Sequence, residues 1–319
     1  MIKIVLVGNN KDVLRLKEQV IKTQKFEIVG TYEIENTDWL SAYSCEEFDN
    51  LLTLTDAVVF SDSTTQFLAL AEKTIYKLKH IFTESIRVEH ANKLREIYSL
   101  CQEASIVFHV GNQLSVSPAF LCIWPYLKKV AWFDLHIRMP FNSKNTFENL
   151  VYQSIDLSLK TVNCRIERLR KNGSFLFNDE IPDHFFIWLE SSSGAIGRIN
   201  FSYHSEKEIN ATFATADRLF EMDVLNHKVW EFKKAEQEYE NGALFNEQNN
   251  VKLQQDLPKI NKVSKQVIYF DSLSKELFNF WDNITNKLTP LTGIHELLEV
   301  TQICENILPT ETTPNSVSS

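Results

Sequence analysis

The sequence predicts an α/β fold with two domains: a doubly wound parallel sheet, followed by an α/β domain whose open sheet is mainly antiparallel. Three observations support this prediction. The chain has 319 residues, more than one ordinary core accommodates. Its first third alternates short apolar runs with amphipathic segments, which is typical of strands and helices in a parallel sheet. Beyond about residue 117 the predicted strands follow one another directly, which indicates antiparallel pairing.

The chain begins with a buried strand, a tight turn and an amphipathic helix. Residues 2–7 form an apolar run interrupted by Lys3, and Gly8 ends it. Apolar residues then recur at helical spacing from Val13 to Ile21. Strand, turn and helix in this order open a nucleotide-binding βαβ unit, in which backbone N–H groups receive a pyrophosphate. We therefore interpret Gly8 and Asn10 as cofactor-binding candidates.

The remainder of the predicted first domain, residues 1–116, continues the alternation. Strands are predicted at 26–33, 56–60, 80–83 and 106–110, and helices at 65–78 and 89–103. The second strand ends on Glu33, at about the distance where a dinucleotide fold places its ribose-binding carboxylate. Because Glu35 and Asp38 crowd the same loop, a solvated acidic residue is the alternative interpretation of Glu33.

Residues 117–308 are predicted to form the second domain. Helices are predicted at 118–127, 147–162, 272–288 and 293–307, and strands at 130–139, 185–191, 197–204, 210–216, 218–225 and 228–233. The last helix is expected to return to the first domain. The polar stretch 234–262 is interpreted as a hairpin or mobile loop, and the tail 309–319 as disordered.

Composition excludes several function classes. The net charge of -9 disfavours nucleic acid or an anionic membrane as partner. No apolar stretch has the length of a membrane span and no signal peptide is recognised, so a cytoplasmic protein is expected. The five cysteines lack a Cys-x-x-Cys pair and the histidines are scattered, so no metal site is expected. Only 8 glycines are present, against about 22 at average usage, which is few for loops that wrap a dinucleotide.

Three segments occur in the order and spacing of known family motifs. KHIFTE occupies 79–84, VGNQLSVSPAF occupies 110–120, and the closing segment carries Phe280-Trp281, Pro290 and Gly293. Together they resemble the Gfo/Idh/MocA family of NAD(P)-dependent oxidoreductases, named for glucose-fructose oxidoreductase and inositol dehydrogenase. The resemblance implies a Rossmann-type first domain, an NAD(P) cofactor, a sugar or polyol substrate and dimerisation through the second sheet.

The resemblance also places the catalytic residues. Where the family has Glu-Lys-Pro, this chain keeps Glu84, a cofactor-binding candidate, and has Ser85 in the lysine position. In the family's D-x-x-x-H-x-x-D segment, Asn149 and Gln153 replace the Asp and the His, and Asp156 remains. Amides and hydroxyls hydrogen-bond a sugar hydroxyl but do not take its proton at neutral pH. A relocated base would have to be Asp156 or His136.

The cofactor turn departs from the dinucleotide fingerprint as well. Asn10 and Val13 take the places of the second and third glycines, and Asp62 follows the third strand, where its charge would repel a phosphate. We therefore predict a catalytically impaired oxidoreductase-family protein, a pseudoenzyme with weak or lost NAD(P) binding that binds a sugar-like ligand or serves as a partner subunit. The alternative is an active NAD(P)-dependent dehydrogenase with relocated acid-base groups.

Polar side chains also alternate along two strands of the second domain. They are Asp134, His136 and Arg138 on one strand, and Arg198, Asn200, Ser202 and His204 on the other. One interpretation is a substrate surface on which Arg138 and Arg198 clamp a carboxylate or phosphate. The other is a sheet face that is solvated or packed against a second subunit, giving a homodimer or larger oligomer.

Overall fold

The structure is a computed structural model that describes residues 1–34, 42–61, 66–84, 91–141, 143–176, 181–234 and 260–308. The described strands are β1 Ile2–Gly8, β2 Phe26–Glu33, β3 Ala57–Phe60, β4 His80–Thr83, β5 Phe108–Val110, β6 Trp132–Met139, β7 Ile166–Ser174, β8 His184–Ser191, β9 Ile196–Tyr203, β10 Glu208–Ala214, β11 Arg218–Asp223, β12 Lys228–Lys234 and β13 Ile260–Lys265. The described α-helices are α1 Asn10–Thr23, α2 Ala42–Leu54, α3 Phe67–Tyr76, α4 Ala91–Ala104, α5 Pro118–Ile123, α6 Lys144–Val162, α7 Ser272–Asn286 and α8 Ile294–Ile307.

The first sheet is parallel, with strand order β2-β1-β3-β4-β5. Apolar side chains of α1 and α7 cover one face, and those of α2, α3 and α4 cover the other. This is the predicted doubly wound sheet. The connections change direction between β1 and β3, and open α/β sheets bind their ligands at such a point, beyond the carboxyl ends of the strands.

The second sheet has eight strands in the order β13-β12-β11-β10-β6-β9-β8-β7. The β6–β9 pair is parallel and the other described pairs are antiparallel, so the predicted open, mainly antiparallel sheet is confirmed. One face packs on α6, where the Phe147 ring meets Phe185 and Phe201 edge-on. Its alternate side chains point to the opposite face, which is called the outward face below.

The two C-terminal helices connect the sheets. Helix α7 packs on α1 and β4, and α8 packs against α4, α6 and β5. Both helices therefore contact the first half of the molecule, and α8 also contacts the helix of the second half. A domain boundary near Ser117 stays a prediction.

Three described elements were not predicted. Helix α2 contains several weak helix formers, among them Ser44, Asp49, Asn50 and Thr53, and tertiary packing of Phe48 and Leu52 compensates for this. Strands β7 and β13 are the two edges of the second sheet, and their charged, exposed residues obscure the period of two.

Two boundaries also differ from the predictions. Helix α5 is shorter than predicted because Pro125 converts its last turn to a 3₁₀ helix over Trp124–Tyr126. Residues 260–262 belong to β13, which pairs antiparallel with β12 and so agrees with the hairpin interpretation of 234–262, although no strand was predicted there. Residues 235–259 and the tail 309–319 lie outside the described part of the chain. None of the described helices has the length and apolar character that crossing a membrane requires.

Candidate functional site

A pocket that is open to solvent lies where the carboxyl end of β5 meets α6 and α8. Its lining residues are Val110, Gly111, Asn112, Asn149, Tyr152, Gln153, Asp156, Thr292, Leu297 and Val300. Helix α6 begins at its cap residue Ser143, whose hydroxyl accepts from the Thr146 N–H. The α6 residues of the pocket follow the spacing i, i+3, i+4, i+7 and so share one helix face. The structure thereby brings three sequence candidates, Asn149, Gln153 and Asp156, into one pocket.

On the β5 side of the pocket, the ends of strands β4 and β5 lie close together. A Cβ on Gly111 would lie 3.0 Å from the Glu84 carbonyl oxygen, so this position needs glycine or a shift of backbone. The next residue, Asn112, is buried. Its Nδ2 donates to the Asp156 carboxylate and, at 3.1 Å, to the Gln153 carbonyl. Asn112 therefore joins the first sheet to α6 at the pocket floor.

A buried ion pair lies beside Asn112. Lys160 follows Asp156 by one helical turn, and its Nζ lies 2.5 Å from Asp156 Oδ2. The same ammonium donates to the hydroxyls of Thr292 and Ser115. Both charged side chains are about nine-tenths buried or more, and the hydrogen bonds that they form with Asn112, Ser115 and Thr292 offset the cost of burying them.

A second buried carboxylate anchors α7 beneath the pocket. Glu276 Oε1 accepts from the Asn112 backbone N–H at 2.7 Å, and Oε2 lies 2.7 Å from His109 Nε2. The other ring nitrogen of His109 lies 3.2 Å from Asn283 Nδ2. These contacts fix the end of β5, and hence Asn112, against α7.

The titratable side chains that line the pocket are Tyr152 and Asp156. Burial raises the pKa of the Tyr152 hydroxyl well above its ordinary value. Tyr152 is therefore a neutral phenol at physiological pH and not a base. His136, the other candidate for a relocated base, lies on the outward face, where its Nε2 is 3.1 Å from Asp134 Oδ2.

The carboxyl ends of β1 and β3 form the second candidate site, at the point where the connections change direction. Gly8 is buried, and a Cβ there would lie 1.9 Å from Ser61 Oγ. That hydroxyl is itself buried and has no hydrogen-bond partner within the described ranges. Glu33 is exposed and pairs with Gly8 in the β1–β2 register. Gly8, Ser61 and Glu33 thus lie where a dinucleotide fold holds its cofactor.

The helix that follows this turn carries its own acceptors. Asn9 caps α1 through its Oδ1, which accepts from the Asp12 N–H at 3.0 Å, and Asp12 places a carboxylate in the first turn. The Asp12 N–H, one of the donors at the helix N-terminus, is thereby occupied. The Asp12 carboxylate also places a negative charge where a phosphate would bind. Val13 is buried against β1, 3.6 Å from a Cβ built on Gly8. These features do not fit a pyrophosphate at the turn.

Glu84 is engaged within the chain. Its carboxylate forms a two-point ion pair with the Arg15 guanidinium of α1; the Glu84 side chain is 7% exposed and that of Arg15 45%. The cofactor-binding role predicted for Glu84 therefore competes with an existing partner. The side chain of Asn10 and residues Asp62 and Ser85 lie outside the described part, and their predicted roles stay predictions.

The polar residues of β6 and β9 share the outward face, as predicted, because Asp134 pairs in register with Arg198 and His136 with Asn200. Arg198 Nε donates to Asp134 Oδ1 at 2.9 Å. Burial alone would raise the pKa of Asp134, but hydrogen bonds from Arg198 and His136 lower it below its usual value. Since Arg138 also pairs, at 3.6 Å, with Glu208, both arginines already have carboxylate partners, which disfavours the anion clamp.

Several site residues escaped the sequence analysis. Lys160 carried a detectable signal, its i+4 spacing from Asp156. Arg15 and Thr292 carried none, because their partners lie 69 and 136 residues away in the chain. Within the described residues, no group of three His, Cys, Asp or Glu side chains is placed to hold a metal ion.

The chain thus combines a doubly wound parallel sheet with an open, mainly antiparallel sheet, and the pocket lies between the end of the first sheet and the helix of the second. No family model matches the sequence, and no curated protein matches it. Solved structures do match. UDP-N-acetylglucosamine 3-dehydrogenase GnnA from Acidithiobacillus ferrooxidans has a TM-score of 0.78 and 16% identity, over 96% of each chain.

Two further structures extend the comparison. Levoglucosan dehydrogenase in complex with NADH has a TM-score of 0.73 and 11% identity, over 96% of this chain and 95% of that one. The dehydrogenase MviM from Clostridium difficile has a TM-score of 0.72 and 14% identity, over 96% and 98%. At these identities the likeness establishes the fold, and the resemblance to the Gfo/Idh/MocA family is confirmed at that level.

Proposed function

We propose that this chain binds a sugar-like ligand in the pocket between β5, α6 and α8 and does not transfer hydride there. One observation carries the proposal: Asn149 and Gln153 line the pocket at the positions where the resembled family has its Asp and His. Amide side chains both donate and accept hydrogen bonds, which suits hydroxyl groups. Leu297 and Val300 offer an apolar wall for the carbon face of a ring.

We also propose that NAD(P) binds weakly or not at all. The Asp12 carboxylate repels a pyrophosphate at the α1 N-terminus, and the Asn9 side chain already caps that end of the helix. Glu84 is already engaged in an ion pair with Arg15. Gly8, Glu33 and the unpartnered Ser61 hydroxyl would still hold part of a nucleotide. When bound, a nicotinamide would supply the hydride acceptor or donor. The proposal therefore concerns affinity and proton transfer, not the shape of the fold.

Thermal unfolding with separate additions of L-sorbose, UDP-N-acetylglucosamine and NADH tests both parts. The first is a ligand of levoglucosan dehydrogenase in its complex with NADH, and the second belongs to the named activity of GnnA. A ligand at tenfold its Kd stabilises the folded state by about 1.4 kcal/mol. We expect a sugar probe to raise the Tm and NADH to raise it little. The double variant Asn149→Ala/Gln153→Ala should remove the sugar effect and keep the unliganded Tm within a few degrees.

The opposite result is as clear. NADH oxidation by a sugar ketone, or NAD reduction by a polyol, followed at the nicotinamide absorbance and abolished by Asp156→Asn, would establish the alternative, an active dehydrogenase with a relocated base. The observation that favours this alternative is that Asp156 lines the pocket. Against it, Lys160 and three further donors already engage the carboxylate.

A second candidate function is that of a subunit in a homo-oligomer, formed through the outward face. Trp132 pairs with Ile196 in the β6–β9 register, and the Ile196 side chain is 39% exposed on this face. We expect sedimentation velocity to detect a dimer or larger species. Ile196→Asp should dissociate it, whereas Ile268→Asp, at an exposed residue outside the sheet, should not. A monomer at every concentration would contradict this role.

A further inference from the structure

The carboxylate of Asp156 is held in one orientation. Four donors converge on Oδ2: Asn112 Nδ2, Lys160 Nζ at 2.5 Å, Ser115 Oγ at 3.2 Å and Thr292 Oγ1 at 3.3 Å. Within the described part of the chain, the hydrogen bonds to this carboxylate all end on that oxygen. Asp156 lines the pocket, and its Oδ1 accepts none of these four hydrogen bonds.

Lys160 is the residue that fixes this arrangement. An ammonium has three N–H donors, and those of Lys160 go to Asp156 Oδ2, Ser115 Oγ and Thr292 Oγ1. Lys160 is therefore saturated and does not itself offer a donor to the pocket. Its positive charge neutralises the Asp156 carboxylate, so this buried pair carries no net charge.

The neutral Asp156–Lys160 pair determines which ligand charge the pocket accepts. A cationic group at Oδ1 would lie close to Lys160, and an anionic group would meet the Asp156 carboxylate directly. An uncharged hydroxyl donates to Oδ1 without either repulsion, and a charge-assisted acceptor strengthens that bond. The uncharged amides of Asn149 and Gln153 also line the pocket and likewise favour uncharged hydroxyl groups.

Resting on the proposed function, we infer that Asp156 Oδ1 accepts a hydrogen bond from a ligand hydroxyl, and that Lys160 is the positioning residue that makes the pocket select uncharged polyhydroxy ligands over their amino or acid derivatives. Neither residue was needed to propose a sugar-like ligand, and neither transfers a proton in this role.

Titration calorimetry with D-glucose, D-glucosamine and D-glucuronate provides the test, since each charged sugar differs from glucose at a single carbon, C2 in glucosamine and C6 in glucuronate. At about pH 6 the amine is protonated. We expect glucose to bind at least fivefold more tightly than either charged sugar. Asp156→Asn should weaken glucose binding about tenfold, since a hydrogen bond to a charged acceptor is lost. Lys160→Met should reverse the order and favour glucosamine, which a purely structural lysine would not do.

Removing Lys160 alone leaves the Asp156 carboxylate buried without a counter-ion, which destabilises the protein. The double variant Asp156→Asn/Lys160→Met removes both charges and serves as a control that is expected to fold. It should bind all three sugars weakly and without preference. Equal affinities in the wild-type protein, or unchanged glucose binding in Asp156→Asn, would overturn the inference while leaving the pocket a sugar site. Absence of binding by all three sugars, at concentrations where Asn149→Ala/Gln153→Ala also shows none, would instead overturn the proposed function.

Discussion

The His80 imidazole shows how one side chain makes stability depend on pH. Its Nδ1 accepts from the Val107 N–H at 3.0 Å, which requires the unprotonated nitrogen. Burial lowers the pKa of His80 from its ordinary 6.5, although Asp56 opposes the shift. The folded state therefore disfavours the charged ring more than the unfolded state does. This contribution to stability is complete above the unfolded pKa and is lost as pH falls through 6.5 toward the folded value.

We expect His80→Asn, which keeps an acceptor near the Nδ1 position and does not titrate, to flatten the decline of unfolding free energy between about pH 7 and pH 5. Urea unfolding at several pH values measures it. His184→Asn, at an exposed histidine, is the control and should leave the wild-type slope unchanged. An identical slope in His80→Asn would contradict the assignment.

The carboxylate of Asp12 leads to a second residue-scale prediction. Removing its charge from the first turn of α1 should raise the affinity for NADH about fivefold, because roughly 1 kcal/mol of repulsion from the pyrophosphate disappears. Asp12→Asn and the matched control Glu18→Gln, which removes an equal charge from an exposed position of the same helix, are compared by NADH fluorescence titration. Equal affinities in the two variants would show that the turn does not exclude the cofactor through Asp12.

The pocket residues were predictable through the resemblance to the family, which singled out Asn149, Gln153 and Asp156. The helical period then places them on one face of α6, and the structure brings them into one pocket. Their partners were not predictable, since Thr292 and Asn112 come from segments distant in sequence. Whether a polar residue is free or engaged, as with Glu84 and Arg15, depends on such tertiary contacts.

At the scale of elements, α7 is attached to the first sheet by a polar anchor inside an apolar interface. Leu273, Leu277 and Phe280 pack on α1 and the sheet, while Glu276 accepts from His109 and Asn112. Glu276→Ala leaves both donors buried and unpaired, so we expect a loss of about 3–5 kcal/mol in unfolding free energy. Asp282→Asn, a partly exposed acid on the same helix, should cost far less. Chemical denaturation compares them, and similar losses would contradict the anchor.

The strands of the parallel sheet, including its edge strand β2, were predicted closely, whereas the edge strands of the second sheet were not. Strands β2 and β4 have the predicted bounds because their apolar runs end at turns. Strands β7 and β13 were missed because an edge strand carries charged residues that protect it from pairing, and so lacks an apolar signal. Helix boundaries near Pro125 follow from the missing N–H of proline, a local rule that was not applied.

At the scale of the molecule, the two sheets share one core. A continuous cluster of buried apolar residues runs from Val58 and Phe60 of the first sheet through Ala119 and Phe120 to Phe133 and its neighbours on the second. Polar contacts from Asn112 to α6 and α7 cross the same region. Two sheets joined in this way are expected to unfold together, although the length of the chain alone would favour separate transitions.

Cooperative unfolding is tested by comparing probes of the whole chain with one weighted toward the second sheet. Of the six tryptophans, Trp281 lies on α7 beside the first sheet, whereas Trp132, Trp188 and Trp230 lie on strands of the second. We expect urea transitions followed by far-ultraviolet circular dichroism, by wild-type fluorescence and by the fluorescence of Trp281→Phe to have one common midpoint. If α8 and the Asn112 contacts did not couple the sheets, the Trp281→Phe signal would report a different midpoint from circular dichroism. Separate midpoints would show that each half is stable without the other. The contacts of Asn112 with α6 and α7 would then shape the pocket but would not couple the unfolding of the two sheets.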